Sequence, residues 1–580
     1  MKTKTVKNNT RRPATGSTAG TQSKPLGLTA LACLAAFLVI LVLYWPALNG
    51  RFVFDDMSLP FALPLRDYPL RAWPIALRPA LMISYWMNYR LWGAGPYSFH
   101  FVNLLIHAVN TVLVGLVLAR LLGKAGWTER KARTAAIVGA CFFMIHPLQT
   151  ESVSYVAGRS ERLAALFLLL AYVFFLYRRN DAISWKEACV VLVLFAIGVR
   201  TKENAVSLAA ILLLTDWFWD PEYSVSQIKA NWRLYVLMLP GVAWAGVVVW
   251  RVLSESSTAG FSVPTFRWYQ YAFTEARAIF TYIWMTICPI RQSLDHDYPA
   301  SRTITEHYAI VYLIVLLALI VTAGVWRRRF PVAAFGFLTF LIWLAPTSSV
   351  VPLDDALVER RMYLPLVGLI LVGCEAWARL RPSPKIAWSI LAAMALFYGR
   401  LCYDRNQLWG DPDKLEEAAA AQSVDNPRPL LNITGVLIQQ NRCAAATPYL
   451  ERAERRAPNN YYVNAAWGRV LVCLEQYPAA MDRFERARKL WTTSQIYEWI
   501  GLLYGKMGNT EAAGQALQKS VHLSPGSGSA HGSLALWYEK TDQLAAAKRE
   551  YRYALSIDRS DTWAQMGLLR VGQRSMQSAP

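Results

Sequence analysis

The sequence predicts an all-α protein: a polytopic membrane helix bundle followed by an α-solenoid. Three observations predict it. The 580 residues are 54% hydrophobic and only 17% charged, less charge than a soluble chain of this length carries. Apolar runs long enough to cross a hydrocarbon layer of about 30 Å recur between residues 27 and 401. Beyond 401 the composition turns soluble and Ala-rich, and small residues recur with a period near 33.

Residues 1–26 are basic and polar with no acid, the composition of a disordered cytoplasmic tail. The apolar run at about 27–48 is too long for a signal-peptide core and lacks a clear small-residue cleavage site, so it reads as a retained first span. The Lys and Arg residues before it place its start in the cytoplasm. Further spans are expected near 98–121, 134–147, 162–177, 185–199, 204–219, 233–252, 308–326, 332–346, 362–379 and 385–401, about 11 in all. The basic segments "RLLGKAGWTERKAR", Arg178–Arg179, Arg327–Arg329 and "RLRPSPK" then fall inside. Residues 268–288 carry Glu275 and Arg277, charges too costly for a bilayer centre, and are expected to lie at the interface or re-enter. This divides the chain into a membrane domain over 27–401, a linker over 402–425 and a solenoid over 426–580 on the outer side. The expected location is the inner (cytoplasmic) membrane, with the solenoid periplasmic or otherwise extracytoplasmic.

The net charge of +21 follows from basic cytoplasmic loops, and no nucleic-acid-binding motif accompanies it. The eight Cys residues are scattered without a CxxC. Cys443 and Cys473 lie in neighbouring repeats, and the sequence leaves open whether they pair.

Gly435, Gly468 and Gly501 are 33 apart, and Ala535 and Gly567 continue at 34 and 32. Gly468, Leu471, Ala480, Phe484 and Ala487 follow the spacing of a tetratricopeptide (TPR) unit. So do Gly501, Tyr504, Ala513, Leu517 and Pro525, and then Tyr538, Ala547, Tyr551 and Ala554. Stacked helix–turn–helix units build a concave face suited to an extended peptide; a purely structural cap is the alternative.

On the outer side, charged residues gather at span ends in five clusters. They are Asp55–Asp56; His146, Glu151, Arg159, Glu161 and Arg162; Arg200, Lys202 and Glu203; Asp295, His296 and Asp297; and Asp354, Asp355, Glu359, Arg360 and Arg361. Arg78 is a further candidate. Singly, each has a plain reading: a solvated loop, a headgroup anchor, a span terminator for His146, a Glu359–Arg360 pair. Together they suit chemistry at a membrane–water boundary. A carboxylate can deprotonate a hydroxyl. Cations can hold a phosphate whose lipid tail lies in the bilayer. Those are the demands of single-displacement, inverting sugar transfer from a polyprenyl phosphate. Asp295 and Asp297 offer oxygens to a divalent metal, without a complete ligand set.

The segments "FVFDD", "RPALMISYWMNYRLWGAGPYSFHFVNLLIHAVNTVLV", "HPLQTESVSYVAGRSERLAALFLLL", "TKENAVSLAAILLLTDWF" and "PLDDALVERRMYLPLVGL" occur in this order ahead of the TPR array. Together they resemble the transmembrane-and-TPR-containing O-mannosyltransferases, polytopic glycosyltransferases of the GT-C class, over about residues 45–570. The resemblance implies a GT-C-like membrane domain, a lipid-phosphate sugar donor such as dolichyl-phosphate mannose, and protein Ser/Thr hydroxyls as acceptors. It carries the acidic pair onto Asp55 and Asp56, with Asp55 read as the base and Asp56 as orienting either it or the acceptor. The "HPxxTE" element falls on His146 and Glu151, "GR" on Gly158 and Arg159, "KE" on Lys202 and Glu203, and "ER" on Glu359 and Arg360. Arg159, Lys202 and Arg360 are assigned to phosphate, Glu151 and Glu203 to sugar hydroxyls or to orienting those cations. Where the family has "GRAD", this chain has Gly158-Arg159-Ser160-Glu161, an acid one carbon longer. The array of four or five units and compact loops favour a prokaryotic homologue with undecaprenyl phosphate as carrier. The expected activity is transfer of a hexose, mannose first, to Ser/Thr of protein. The alternatives are the same chemistry on a surface glycan or lipid, and a non-enzymatic membrane TPR scaffold or transporter. Charges at span ends rather than at the midplane speak against a transporter.

Overall fold

A computed structural model describes residues 26–59, 78–178, 182–220, 223–255, 259–261, 263, 266–424, 426–557 and 561–577. The basic tail lies outside them. Among the described residues, fifteen helices build the first part: α1 (Leu26–Tyr44), α2 (Pro79–Trp92), α3 (Pro96–Lys124), α4 (Glu129–Ile145), α5 (Gln149–Ser154), α6 (Arg159–Tyr177), α7 (Trp185–Thr201), α8 (Ser207–Phe218), α9 (Ser226–Ala230), α10 (Trp232–Glu255), α11 (Trp268–Ile287), α12 (Ala309–Val325), α13 (Pro331–Leu344), α14 (Pro365–Leu380) and α15 (Pro384–Gly410). Among the described residues the only β pairing is an isolated bridge, Ala259 with Leu353.

Five segments of the described residues are long and apolar enough to cross a membrane: Pro96–Lys124, Arg159–Tyr177, Trp232–Arg251, Glu306–Val325 and Pro384–Gly410. Leu34–Asn49 and Pro331–Leu344 are shorter apolar segments. The expected count of about 11 is therefore not reached by length and composition. At 1.5 Å per residue, the 12 residues of α8 and the 16 of α14 fall short of the hydrocarbon thickness. α4 has 17 residues but opens on Glu129, Arg130 and Lys131. In α11 the charges are enclosed by protein: Arg277 donates to the Pro299 carbonyl and Ser301 Oγ, and Glu275 lies 3.7 Å from Arg361.

A close helix crossing joins α13 to α14. A Cβ on Gly336 would stand 2.5 Å from the Gly368 carbonyl oxygen, so only glycine lets the two backbones touch. The largest apolar core runs through α3, α6, α7 and α8, with Val114, Leu118, Ala165 and Leu208 fully enclosed. This core holds those helices in register, and the charged clusters sit at their ends.

α15 runs on past the expected span end into the linker, and α16 (Pro412–Gln422) follows. The solenoid comprises α17 (Pro427–Gln439), α18 (Cys443–Arg456), α19 (Tyr461–Cys473), α20 (Tyr477–Leu490), α21 (Ser494–Lys506), α22 (Thr510–Leu523), α23 (Gly528–Lys540), α24 (Leu544–Ile557) and α25 (Thr562–Gln577). The sequence period has a direct cause. A Cβ on Gly468 would meet the Phe484 ring at 2.3 Å, so the small residue of one helix seats the large residue of its mate.

Cys443 and Cys473, left open by the sequence, form a disulfide between α18 and the end of α19, with Cα atoms 6.1 Å apart. The bridge spans a sequence separation of 30, and chain-entropy arguments assign such a loop about 3–4 kcal/mol. Reduction is predicted to lower the unfolding temperature of the solenoid, and Cys443→Ala with Cys473→Ala should melt like the reduced protein. Identical melting curves with and without reductant would remove this contribution.

Candidate functional site

Asp55 and Asp56 lie in a short 3₁₀ turn, Phe54–Ser58. Phe54, just before them, has φ of 48°, in the left-handed region that a bulky aromatic residue rarely enters. The turn sends the two acids opposite ways. Asp56 is fully buried: its Oδ1 accepts the Ala157 N–H at 2.6 Å and its Oδ2 accepts the Val53 N–H at 3.2 Å. Burial pushes its carboxyl from 3.8 up to about 7 against the pull of these N–H groups, and the Asp55 charge adds to the rise. Asp55 is exposed, and its backbone N–H donates to Tyr155 Oη at 2.9 Å. Asp56 thus latches the turn to the 155–158 loop, and Asp55 is presented outward.

The helix just before that loop, α5, meets the segment before α14. Glu151 accepts from the Arg360 backbone N–H at 2.9 Å and from its Nη1 at 2.5 Å. The Arg360 guanidinium stands 6.0 Å from the Tyr155 ring, so Asp55, Tyr155, Arg360 and Glu151 form one group. Burial pushes the Glu151 carboxyl up, Arg360 pulls it down and Glu359 pushes it up again, with a net rise. Two more ion pairs sit between α2, α6 and the turn after α7. Arg78 holds Glu203 by two bonds of 3.0 and 2.6 Å, and Lys202 pairs with Glu161, which Asn204 also contacts at 3.3 Å. Burial lowers the Lys202 ammonium and Glu161 raises it, while Arg78 and Arg360 are near enough to lower it further. Beside this pair is a cavity of about 20 Å³ lined by Glu161, Asn204, Ser207, Arg361 and Tyr363, room for one water. Lys202 and Arg360, expected at the donor phosphate, and Arg78, a further donor-site candidate, are thus each paired with a carboxylate.

The other expected residues lie inside the protein. Arg159 is fully buried, with its guanidinium donating to Asn103, Asn88 and the Ser84 and Phe99 carbonyls and lying over the Tyr85 ring. It knots α2, α3 and α6 together through neutral partners. His146 caps α4: Nε2 bonds the Thr286 carbonyl, Nδ1 accepts the Leu148 N–H, and the ring packs on Phe142 and Tyr398. Glu359 is fully buried and accepts from Gln292, the Ser293 N–H and His296. Sequence reasoning gave no individual role to Tyr155, Asn204 or Glu161. Their only signal was proximity to the quoted motifs, and their partners lie 100, 43 and 41 residues away.

The two weak metal candidates lie at the junction with the solenoid. Asp295 takes two bonds of 2.5 Å from Arg428 and one from Asn426, and Asp297 accepts the Val424 and Asn426 N–H groups. Arg428 also reaches Asp355 at 2.6 Å. These acids fasten the start of the solenoid to the loop after α11 and to the segment before α14. Among the described residues no cluster of three or more His, Cys, Asp or Glu converges. Arg428→Ala is predicted to undock the solenoid, making residues 423–428 sensitive to protease in the folded protein. An unchanged cleavage pattern would count against the clasp.

Residues 494–527 match the tetratricopeptide repeat family, over the third helix pair, α21 and α22. The chain is 21% identical over 610 residues to mouse "Protein O-mannosyl-transferase TMTC3", covering 92% of this chain and 65% of that protein. It is 24% identical over 479 residues to human "Protein O-mannosyl-transferase TMTC4", covering 71% and 64%. Drosophila melanogaster "Protein O-mannosyl-transferase Tmtc2" is 30% identical over 207 residues, 32% of this chain and 21% of that one. The chain spans just under two thirds of the mouse TMTC3 and human TMTC4 relatives. Among solved structures, a thermophilic TPR protein of Thermus thermophilus is 16% identical and covers 30% of this chain and 94% of its own, with a TM-score of 0.26. The homologues of this chain are protein O-mannosyl-transferases of the TMTC family, and the chain itself carries a tetratricopeptide repeat in its C-terminal part.

Proposed function

We propose that this protein is an inverting glycosyltransferase that moves mannose from a polyprenyl-phosphate donor to Ser/Thr hydroxyls of protein at the outer membrane face. The N-terminus then lies in the cytoplasm and the solenoid outside. One observation carries the reading: Asp55 is held outward on a turn that Asp56 latches down, beside the Arg360–Glu151 pair. The names of the homologues support mannose transfer to protein.

In this reading the acceptor oxygen attacks the anomeric carbon and the carbon–oxygen bond to phosphate breaks. The bonding pair leaves with the polyprenyl phosphate, and the hydroxyl proton passes to the Asp55 carboxylate. Arg360, Lys202 and Arg78 supply positive charge to the departing phosphate while Glu151, Glu161 and Glu203 hold them in place. Arg159 positions the helices that frame this face. Arg428 and its acids fix the solenoid, which presents the acceptor, against the outer loops.

The test is transfer of labelled mannose from a polyprenyl-phosphate donor to Ser/Thr-rich acceptor peptides by the purified protein in nanodiscs. Label on Ser or Thr with inverted configuration supports the proposal. Label only on a glycan or lipid acceptor moves it to the other substrate class, and no transfer from any lipid-phosphate sugar sinks it.

A further inference from the structure

A second feature lies apart from the ion pairs just described. Between the end of α10 and the start of α11 is an open groove of about 530 Å³. Phe261, Phe266, Trp268 and Tyr269 wall it, and Arg267 and Arg302 stand at its sides. Both arginines are exposed, and among the described residues neither forms an ion pair. Among the described residues the Arg267 guanidinium donates one hydrogen bond, to the Tyr269 hydroxyl at 3.4 Å. Glu306 sits next to Arg302, but its Oε2 accepts the backbone N–H groups of Arg302 and Thr303. Gln270 bridges the two sides by donating to the Arg302 carbonyl.

The surroundings are apolar and outward-facing. Phe261 is 63% exposed, Trp268 56% and Tyr308 76%, the aromatic exposure of a membrane interface. The exposed apolar surface of α12, including Val311, Ile314 and Val315, begins directly after Tyr308. Tyr312 on α12 packs against Phe280 on α11, so the two helices share the side that leads up to the groove. Two guanidiniums with no ion pair among the described residues, aromatic walls and a lipid-type helix surface below call for an amphiphile with an anionic head.

We infer that this groove binds the phosphate headgroup of an anionic glycerophospholipid of the bilayer, with Arg267 and Arg302 on the phosphate and the acyl chains along α12. The site goes beyond the sugar transfer proposed above and does not depend on it. It also touches that chemistry from behind. Phe266 and Tyr271 pack on Ala356, and the Gly260 N–H donates to the Pro352 carbonyl at 2.8 Å, in the segment that leads into Glu359–Arg360. A lipid in the groove therefore braces the chain that carries Arg360.

The test is native mass spectrometry of the full chain released from nanodiscs of phosphatidylcholine and phosphatidylglycerol in equal parts. The wild type is expected to retain phosphatidylglycerol preferentially. Arg267→Gln with Arg302→Gln should lose that preference by roughly thirtyfold, the factor two guanidiniums at an anionic surface contribute. An unchanged preference in the double variant overturns the proposal. So does displacement of phosphatidylglycerol by polyprenyl phosphate, which would give the groove to the donor carrier, or by free inorganic phosphate. If the double variant does not fold, hydrogen exchange on the wild type decides. Protection of residues 266–270 in phosphatidylglycerol discs but not in pure phosphatidylcholine discs supports the site, and equal exchange in both refutes it.

Discussion

Asp55→Asn is expected to lower mannose transfer by roughly a thousandfold, the middle of the range for losing a positioned general base. The reason is geometric. Asp55 is the exposed member of the pair, and an amide there has no basic oxygen for the acceptor proton, yet it leaves the Asp56 latch intact. The variant should therefore keep the turn in place and still bind donor. Full activity in Asp55→Asn would remove the base assignment. Asp56→Asn tests the other half. Its side chain no longer offers two acceptor oxygens to the Ala157 and Val53 N–H groups, so the turn loosens and melting falls. The pH dependence has a definite sign. The folded-state carboxyl of Asp56, at about 7, lies above its ordinary 3.8, so the folded protein holds this proton more tightly than the unfolded chain. Its contribution to stability is complete below about pH 4 and is lost as pH rises through about 7. That slope should flatten in Asp56→Asn, and a slope equal to wild type would show that another group sets it.

Arg360→Met is expected to destabilise the protein by about 3–5 kcal/mol, the cost of leaving a buried charge without its partner. The two sides of the pair are unequal: the Glu151 side chain is 1% exposed and that of Arg360 28%. Removing Arg360 strands a carboxylate that water cannot reach. Glu151→Gln leaves a guanidinium that reaches solvent, and its amide oxygen still accepts one bond, so its cost should be smaller, about 1–3 kcal/mol. The double variant should recover part of the Arg360→Met loss, because it no longer carries the isolated acid. Thermal melts in one detergent measure all three. Equal losses for the two single variants would contradict the account, as would a double variant that is simply their sum. Activity should fall in both single variants, since the same pair flanks Asp55.

The period of 33 residues was legible in the sequence because each TPR unit is stabilised by contacts between neighbours in the chain, such as Gly468 against Phe484. The grouping of charges at span ends was legible too, since the cost of placing charge in hydrocarbon shapes the composition locally. Which charges meet was not. Glu151 and Arg360 are 209 residues apart, Arg78 and Glu203 are 125, and no local pattern encodes a pairing made across a helix bundle. The sequence offered Arg159 as a phosphate ligand, and the fold encloses it among Asn88, Asn103 and two carbonyls. Asp295 and Asp297, weak metal candidates in the sequence, belong to the clasp of the solenoid: Arg428 reaches back to Asp295, and the Val424 and Asn426 N–H groups donate to Asp297. Local patterns were enough for the helices, the repeats and the presence of an acidic pair at Asp55–Asp56. Only the tertiary structure decided that Asp56 turns inward and Asp55 outward: that choice depends on the Ala157 N–H, contributed by a loop a hundred residues further along.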